Sequence, residues 1–296
     1  MRDTFSRCHP AVNFLYFTLV LLFSMIFRHP VSLAVSLLCA CAYATLLGGR
    51  SALRFQLRWM LPVMLLAAIV NPAFNHYGVT ILAYFPNGNP LTLESILYGL
   101  AAAAMLAAVF MWFYCFNEVI TSDKFVYLFG RLIPALSLML SMALRFVPRF
   151  HRQLSAVADA QRCLGRDVSK GRLDKRLRTA MKIFSITVTW ALENAILTAD
   201  SMRSRGYGEP GRTAFSIYRF DARDRALLAW LSFCGVFIFA GSRANAFYFS
   251  YSPMLRGTPW TPLTVAFQVV YLFLCLTPVV LELHSRLSWK KIQTRV

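Results

Sequence analysis

Ala199-Asp200-Ser201-Met202-Arg203-Ser204-Arg205-Gly206-Tyr207-Gly208 closes a long, basic, half-apolar region set between strongly hydrophobic segments. Upstream of it, apolar residues recur at 173, 177, 180, 184, 188, 191, 195 and 202, close to the 3.6-residue period of an amphipathic helix. Lys175, Arg176, Arg178 and Lys182 crowd the start of that stripe. An earlier stripe runs through 136, 140, 144, 147, 150, 154, 157 and 164, with Arg145, Arg149, Arg152 and Arg162 at other positions. Both helices begin and end among cations, so neither is expected to cross a membrane. They read as amphipathic rods lying on the membrane face or against each other, with residues 183–198 apolar enough to be partly buried.

The flanks read as membrane. The chain has 296 residues, 57% hydrophobic and only 15% charged, a composition that excludes an ordinary soluble domain. A bilayer core needs roughly 17–25 apolar residues in helix. Residues 12–27, 31–47, 59–74, 93–116, 226–241 and 262–283 qualify or come close, predicting about six spans. Pro62 and Pro72 fall in or near the third span, where neighbours can satisfy the freed backbone. Ala101–Ala104 and Ala107–Ala108 give the fourth a small-residue face for close packing.

Net charge is +18, and residues 148–225 hold 16 of the 31 Lys and Arg residues against eight acids. Positive-inside sorting accounts for most of that excess. Residues 75–92 contain no Lys or Arg and read as an external loop. The end of the chain carries Arg286, Lys290, Lys291 and Arg295, so both termini are expected on the cytoplasmic side. No cleavable signal peptide is evident. Seven scattered cysteines, without a Cys-x-x-Cys pair, read as small hydrophobes.

Catalytic chemistry finds little support. The five histidines lie far apart, no His-Glu-x-x-His occurs, and there is no phosphate-binding loop. Glu94, Glu118 and Glu282 sit near span ends, so no acid lies deep enough for an ion-driven carrier. Arg205 and Gly206 admit two readings. A cation in the last turn offsets the helix dipole by about 0.3–1 kcal/mol, and glycine past it takes the left-handed conformation freely. Alternatively, a guanidinium held at the end of a rigid rod is a handle for a soluble partner.

Met202-Arg203-Ser204-Arg205-Gly206-Tyr207-Gly208 resembles the second arginine motif of the transmembrane T component of energy-coupling factor (ECF) transporters, a group that includes the Q-type permeases of cobalt and nickel uptake. Leu144-Arg145-Phe146-Val147-Pro148, leading into Ala158-Asp159-Ala160-Gln161-Arg162-Cys163-Leu164-Gly165, is similar to the family's upstream stretch. The first motif departs from the family's usual pattern, because Leu164 occupies the place of its second arginine; Arg162 or Arg166 could substitute, or the end could bind by apolar contact.

The resemblance implies an all-α integral membrane protein with about six transmembrane helices plus two long amphipathic cytoplasmic coupling helices. Its expected division is residues 1–131, 132–225 and 226–296. It implies a non-catalytic subunit of an ATP-driven importer for a vitamin or metal ion in the inner membrane of a prokaryote. Two ATP-binding subunits and a small substrate-binding membrane protein would be the partners, besides membrane lipid, with no nucleic acid and no cofactor on this chain. Docking would fall to Met202, Ser204, Arg205, Gly206 and Tyr207 on one helix, and Arg162, Leu164, Gly165 and Arg166 on the other. A membrane-bound anchor or lipid-processing protein using the basic face is the alternative.

Overall fold

The computed structural model describes residues 4–75, 78–84, 90–130, 133–169, 172–207, 209, 218–251 and 254–293. The fold is all-α, with little sheet. Two compact units make it up: Met1–Lys124 together with Tyr218–Val296, and Phe125–Ile217.

The first unit is the bundle. After a short 3-10 turn at Phe5–Arg7 come α1 (Pro10–Ile26), α2 (Pro30–Gly48), α3 (Arg50–Phe55), α4 (Leu61–Phe74), α5 (Leu93–Val119), α9 (Ala222–Arg243) and α10 (Pro262–Gln293). Histidines start the first two: His9 and His29 each precede a proline and accept from the backbone N–H two residues on. Among the described residues, five helices are long and apolar enough to cross a membrane: α2, Arg50–Phe74, α5, α9 and Pro262–Ser288 of α10. The 17-residue α1 is shorter but equally apolar.

One boundary differs from the sequence reading. The helix that carries the third span starts earlier, because α3 continues through a widened π turn at Gln56–Met60 into α4, making one helix of 25 residues. The basic run Arg50, Arg54, Arg58 is therefore helical. Residues 75–92 also hold a small hairpin, β1 (Ile81–Tyr84) with β2 (Pro90–Thr92), which pairs Ile81 with Thr92 across a bulge. A two-residue pair, β3 (Phe249–Ser250) with β4 (Arg256–Gly257), lies between α9 and α10.

Helix α5 packs on α4, α2 and α1, while α10 packs on α2 and α9. Aromatic bulk fills the space between them: Tyr16, Tyr43, Trp112 and Tyr271 are all fully buried. Their polar atoms are satisfied within the bundle. Ser36 Oγ lies 2.7 Å from Ser24 Oγ and accepts from Trp112 Nε1 at 3.0 Å, while Ser24 reaches Tyr271 at 3.3 Å. This knot joins four helices where no water is available to take over. Ser36→Ala is expected to cost about 1–2 kcal/mol by leaving the Trp112 indole N–H without its acceptor. Thermal unfolding in detergent will read it as a lowered midpoint.

Two carboxylates at span ends act as anchors. Glu94 is buried and accepts from the Thr80 backbone N–H, tying the hairpin to the start of α5. Glu282 accepts from the Thr4 N–H at 3.0 Å and from Arg286 at 2.8 Å, and Arg286 also reaches the Leu46 carbonyl. The ammonium of Lys124 donates to the Val119 and Ser6 carbonyls. These contacts fix the chain before α1, whose Phe5 is wholly buried.

The second unit holds most of the short helix α6 (Ser122–Gly130) and all of α7 (Pro134–Cys163) and α8 (Leu173–Ser204). The last two are the rods expected from the stripes. They meet near mid-length: the Phe150 and Trp190 rings lie edge to face at 6.0 Å, Arg149 sits 5.3 Å over Trp190, and its Nη2 donates to Asn194 Oδ1 at 3.0 Å. Pro148 is inside α7 at this crossing and deprives the Leu144 carbonyl of its helical donor.

The face of α8 that is buried or half-buried runs through Ile183, Thr187, Trp190, Asn194 and Thr198. At 100° per residue that face is about 80° round the helix from the apolar stripe. Most of the stripe stays open, with Leu173 79% and Phe184 65% exposed, while Ala180, Ala191 and Met202 are half-buried. In α7 the half-buried residues are Leu138, Met142, Phe146, Phe150, Gln153, Val157 and Ala158, while Leu140, Leu144, Val147 and Leu154 are exposed.

Two helix tips as a candidate docking site

The C-terminal ends of α7 and α8 are built by the same device. At the first, the Arg166 N–H donates to the Gln161 carbonyl at 2.9 Å and the Gly165 N–H to Arg162 at 3.0 Å. At the second, the Tyr207 N–H donates to Met202 at 3.0 Å and the Gly206 N–H to Arg203 at 3.0 Å. This paired 6→1 and 5→2 pattern is the Schellman ending, which needs a left-handed residue just past the helix. Gly165 at φ +74° and Gly206 at φ +72° supply it.

Matching hydrogen bonds align the tips residue by residue. Ala158-Asp159 corresponds to Ala199-Asp200, Arg162 to Arg203, Cys163 to Ser204, Leu164 to Arg205, Gly165 to Gly206 and Arg166 to Tyr207. All of the side chains from 162 to 166 and from 203 to 205 are exposed, as is Tyr207. Met202 is half-buried and Gln161 buried. Gly208, the last residue of the motif, lies outside the described residues.

From Phe150 to Cys163, and from Trp190 to Ser204, a rise of 1.5 Å per residue gives each tip an arm of about 20 Å beyond the crossing. Arg176, in the first turn of α8, donates its Nε–H to the Val168 carbonyl at 2.7 Å, so α8 starts beside the α7 tip. The α8 tip must then lie across the crossing, roughly 30–40 Å from the other. Two rigid, outward-pointing ends at that spacing suit two separate partners.

Charge separates them. Arg162 Nε lies 3.3 Å from Asp167 Oδ2. Asp167 accepts from the Ser169 N–H at 2.9 Å and its hydroxyl at 2.8 Å. Those bonds, with a smaller contribution from Arg162, push its carboxyl down to about 2. A depressed carboxylate holds its contacts above the ordinary value and loses them only as pH falls towards about 2. Asp167 is therefore ionised at any physiological pH. Among the described residues, Arg203 and Arg205 make no ion pair and no side-chain hydrogen bond.

The sequence reading found Arg162, Leu164, Gly165 and Arg166 at one end and Met202, Ser204, Arg205, Gly206 and Tyr207 at the other, and each set forms one tip. It missed Asp167 as the in-chain partner of Arg162, and Arg203 as the counterpart of Arg162. The second was available as a repeated Ala-Asp-x-x-Arg-x-x-Gly pattern. Among the described residues, no group of three or more His, Cys, Asp or Glu could hold a metal ion.

Residues 3–216 match the family of cobalt transport proteins, CbiQ, over well beyond half of the chain. The chain belongs to the CbiQ family. Curated relatives agree in kind. The energy-coupling factor transporter transmembrane protein EcfT of Bacillus selenitireducens is 25% identical over 235 residues, 75% of this chain and 87% of that one. EcfT of Lactobacillus helveticus is 34% identical over 99 residues, 33% of this chain and 36% of its own length. EcfT 1 of Listeria monocytogenes is 34% identical over 90 residues, covering 30% and 34%. The match thus spans about a third of the length of the last two. As a CbiQ family member, the chain is a multi-pass transmembrane component of an energy-coupling factor transporter.

The tips give a backbone prediction. No atom lies within 4 Å of where a Cβ on Gly165 would stand, so Gly165→Ala meets only conformational cost, about 1–2 kcal/mol for a left-handed alanine. At Gly206 the nearest atom is Glu209 Oε2 at 3.0 Å, the end of a flexible side chain, so Gly206→Ala should cost the same. Faster amide exchange confined to the last turn of each helix will be the sign.

Proposed function

We propose that this chain is the membrane-embedded scaffold and coupling subunit of an ATP-driven importer for a vitamin or metal ion. It passes the motion of two ATP-binding subunits to a small substrate-binding membrane subunit. ATP is bound and hydrolysed on the partner chains. The single observation that carries this reading is the pair of matched, glycine-capped helix tips, one of which presents an exposed Arg205 with no ion pair or side-chain hydrogen bond among the described residues.

Arginine suits the anchor, because its planar fork pairs a carboxylate in two places while part-buried. The exposed stripe residues, Leu140, Leu144, Val147 and Leu154 on α7 and Leu173, Leu177, Phe184 and Val188 on α8, are the surface offered to the substrate-binding subunit. The cationic runs Arg50, Arg54, Arg58 and Arg286, Lys290, Lys291, Arg295 set the orientation, with both termini cytoplasmic and residues 75–92 outside. Residues 132–225 then form the coupling region between membrane regions 1–131 and 226–296.

The test is isolation of the tagged full chain from its own membranes in mild detergent. Phosphate-loop ATPases and a small multi-span protein should accompany it. Recovery of the chain alone defeats the reading. A membrane anchor that uses only its basic face would tolerate scrambling Ser204-Arg205-Gly206 at constant charge, whereas a docking tip would not.

A further inference from the structure

The bundle unit holds a cavity of about 560 Å³, within the roughly 300–1,000 Å³ typical of small-ligand sites. It stands where α1, α4 and α9 stop and α2, α5 and α10 begin, which in a membrane is the level of the lipid head groups. Arg28 and Glu94 both line it, with Tyr98, Tyr248, Phe249 and Tyr251. The two opposite charges share this space without pairing. Among the described residues neither makes an ion pair, and the exposed Arg28 guanidinium makes no hydrogen bond. Glu94 is the demanding member, because it is only 5% exposed and a buried carboxylate without a cation is costly. Both of its oxygens face the Thr80 N–H, at 3.2 and 3.3 Å, and it sits in the first turn of α5, where the helix dipole suits a negative charge. Tyr98 follows it by four residues on the same face of α5. The Tyr98 ring meets Tyr251 at 6.0 Å, and Tyr251 meets Phe249 at 4.7 Å and donates its hydroxyl to the Arg28 carbonyl at 3.0 Å. An aromatic wall is thus fixed both to the turn that carries Arg28 and to the helix that carries Glu94.

We propose that this cavity binds a phosphoethanolamine zwitterion, the head group of an aminophospholipid. The phosphodiester pairs with the planar fork of Arg28. The primary ammonium donates to Glu94 and lies against the tyrosine rings, which attract a cation to their faces. A plain anion here would face Glu94, and a plain cation would face Arg28. A ligand carrying both charges answers both. A trimethylammonium group has no N–H to give the carboxylate, so phosphocholine fits less well. Ile26, exposed at the rim, offers an apolar surface to the first acyl carbons. The site belongs to the bundle alone and does not depend on the coupling role.

Native mass spectrometry of the delipidated full chain in detergent tests this, with phosphatidylethanolamine, phosphatidylcholine and phosphatidylglycerol added in turn. Phosphatidylethanolamine should bind most tightly. Arg28→Gln and Glu94→Gln should each weaken it about tenfold, as the loss of one charge-assisted hydrogen bond does. Phosphatidylglycerol, which has no ammonium, should lose affinity in Arg28→Gln but not in Glu94→Gln. Where Glu94→Gln lowers the melting point by loosening the hairpin, Arg28→Gln and Tyr248→Ala decide instead, since Arg28 is exposed and Tyr248 is 57% exposed. Soluble glycerophosphoethanolamine separates the sources. Competition that depends on Arg28 and Glu94 supports the head-group pairing, and an affinity equal to that of the lipid makes the natural ligand a free zwitterion of the same chemistry. Equal binding of the three lipids, or phosphatidylethanolamine binding untouched by Arg28→Gln and Glu94→Gln, overturns the proposal.

Discussion

Arg205→Glu is expected to abolish ATP-dependent uptake and to strip the ATPases from the purified chain, while membrane insertion and helix content stay unchanged. The selectivity follows from what Arg205 touches. Among the described residues it makes no ion pair and no side-chain hydrogen bond, so its reversal removes no polar interaction beyond the dipole effect of about 0.3–1 kcal/mol. The glycine that follows still closes the helix through the Gly206 and Tyr207 N–H bonds, which are backbone to backbone. On the partner, however, a carboxylate that had faced a guanidinium would face another carboxylate. Truncating one member of such a pair costs about 2–5 kcal/mol, or roughly thirty- to several-thousand-fold in association. Reversal should lie at the upper end. Arg162→Ala should be milder, since that guanidinium is already held by Asp167 within the chain. Quantifying ATPase bound per mole of each variant decides it: wild-type uptake by Arg205→Glu removes the anchor, and an equal or larger defect in Arg162→Ala reverses the ranking.

How far the sequence carries can be judged from α8. Its period, its length and its end at Gly206 were all legible, because a 3.6-residue repeat and a glycine after the last turn are local signals. Its packing face was not. Thr187 and Asn194 are polar by composition, yet they lie on the buried or half-buried side, where Asn194 meets Arg149, while Leu173 and Phe184 remain open. Burial followed what the neighbouring rod could accept, a property of two helices together. The same holds at the α7 tip. Leu164 as a departure was readable, but the Arg162–Asp167 pair depends on a turn whose Ser169 bonds pin the acid in place. In the membrane unit, Ala103, Ala107 and Ala108 are buried as the small-residue face of α5 suggested. The helix that carries the third span begins at Arg50, ahead of the apolar residues 59–74, because arginines at helical spacing continue a helix without adding to its hydropathy.

That small-residue face leads to the second large effect. Gly99→Val is expected to destabilise the bundle by about 3 kcal/mol or more, through α4 rather than through α5 itself. The reason lies in Pro72, which sits inside α4 and has no N–H. The carbonyl that a residue at 72 would satisfy in an α-helix belongs to Ala68, so Pro72 leaves it without its helical donor. Membrane helices tolerate this only when a neighbour approaches the freed group. Gly99 is that neighbour: a Cβ added there would stand 3.0 Å from the Ala68 oxygen, 3.0 Å from Pro72 Cδ and 3.1 Å from Asn71 Cβ. Two of these obstacles are backbone or ring and cannot swing aside, so even Gly99→Ala must push the helices apart by a few tenths of an ångström. Valine, branched at Cβ, adds two methyl groups to the same gap and would open the α4–α5 contact along its length. Restoring the helical donor with Pro72→Ala should recover part of the loss, because the Ala68 carbonyl then needs no outside help. A double mutant no more stable in detergent than Gly99→Val alone would show that the glycine merely makes room, and that the proline's freed carbonyl has no share in holding α4 to the bundle.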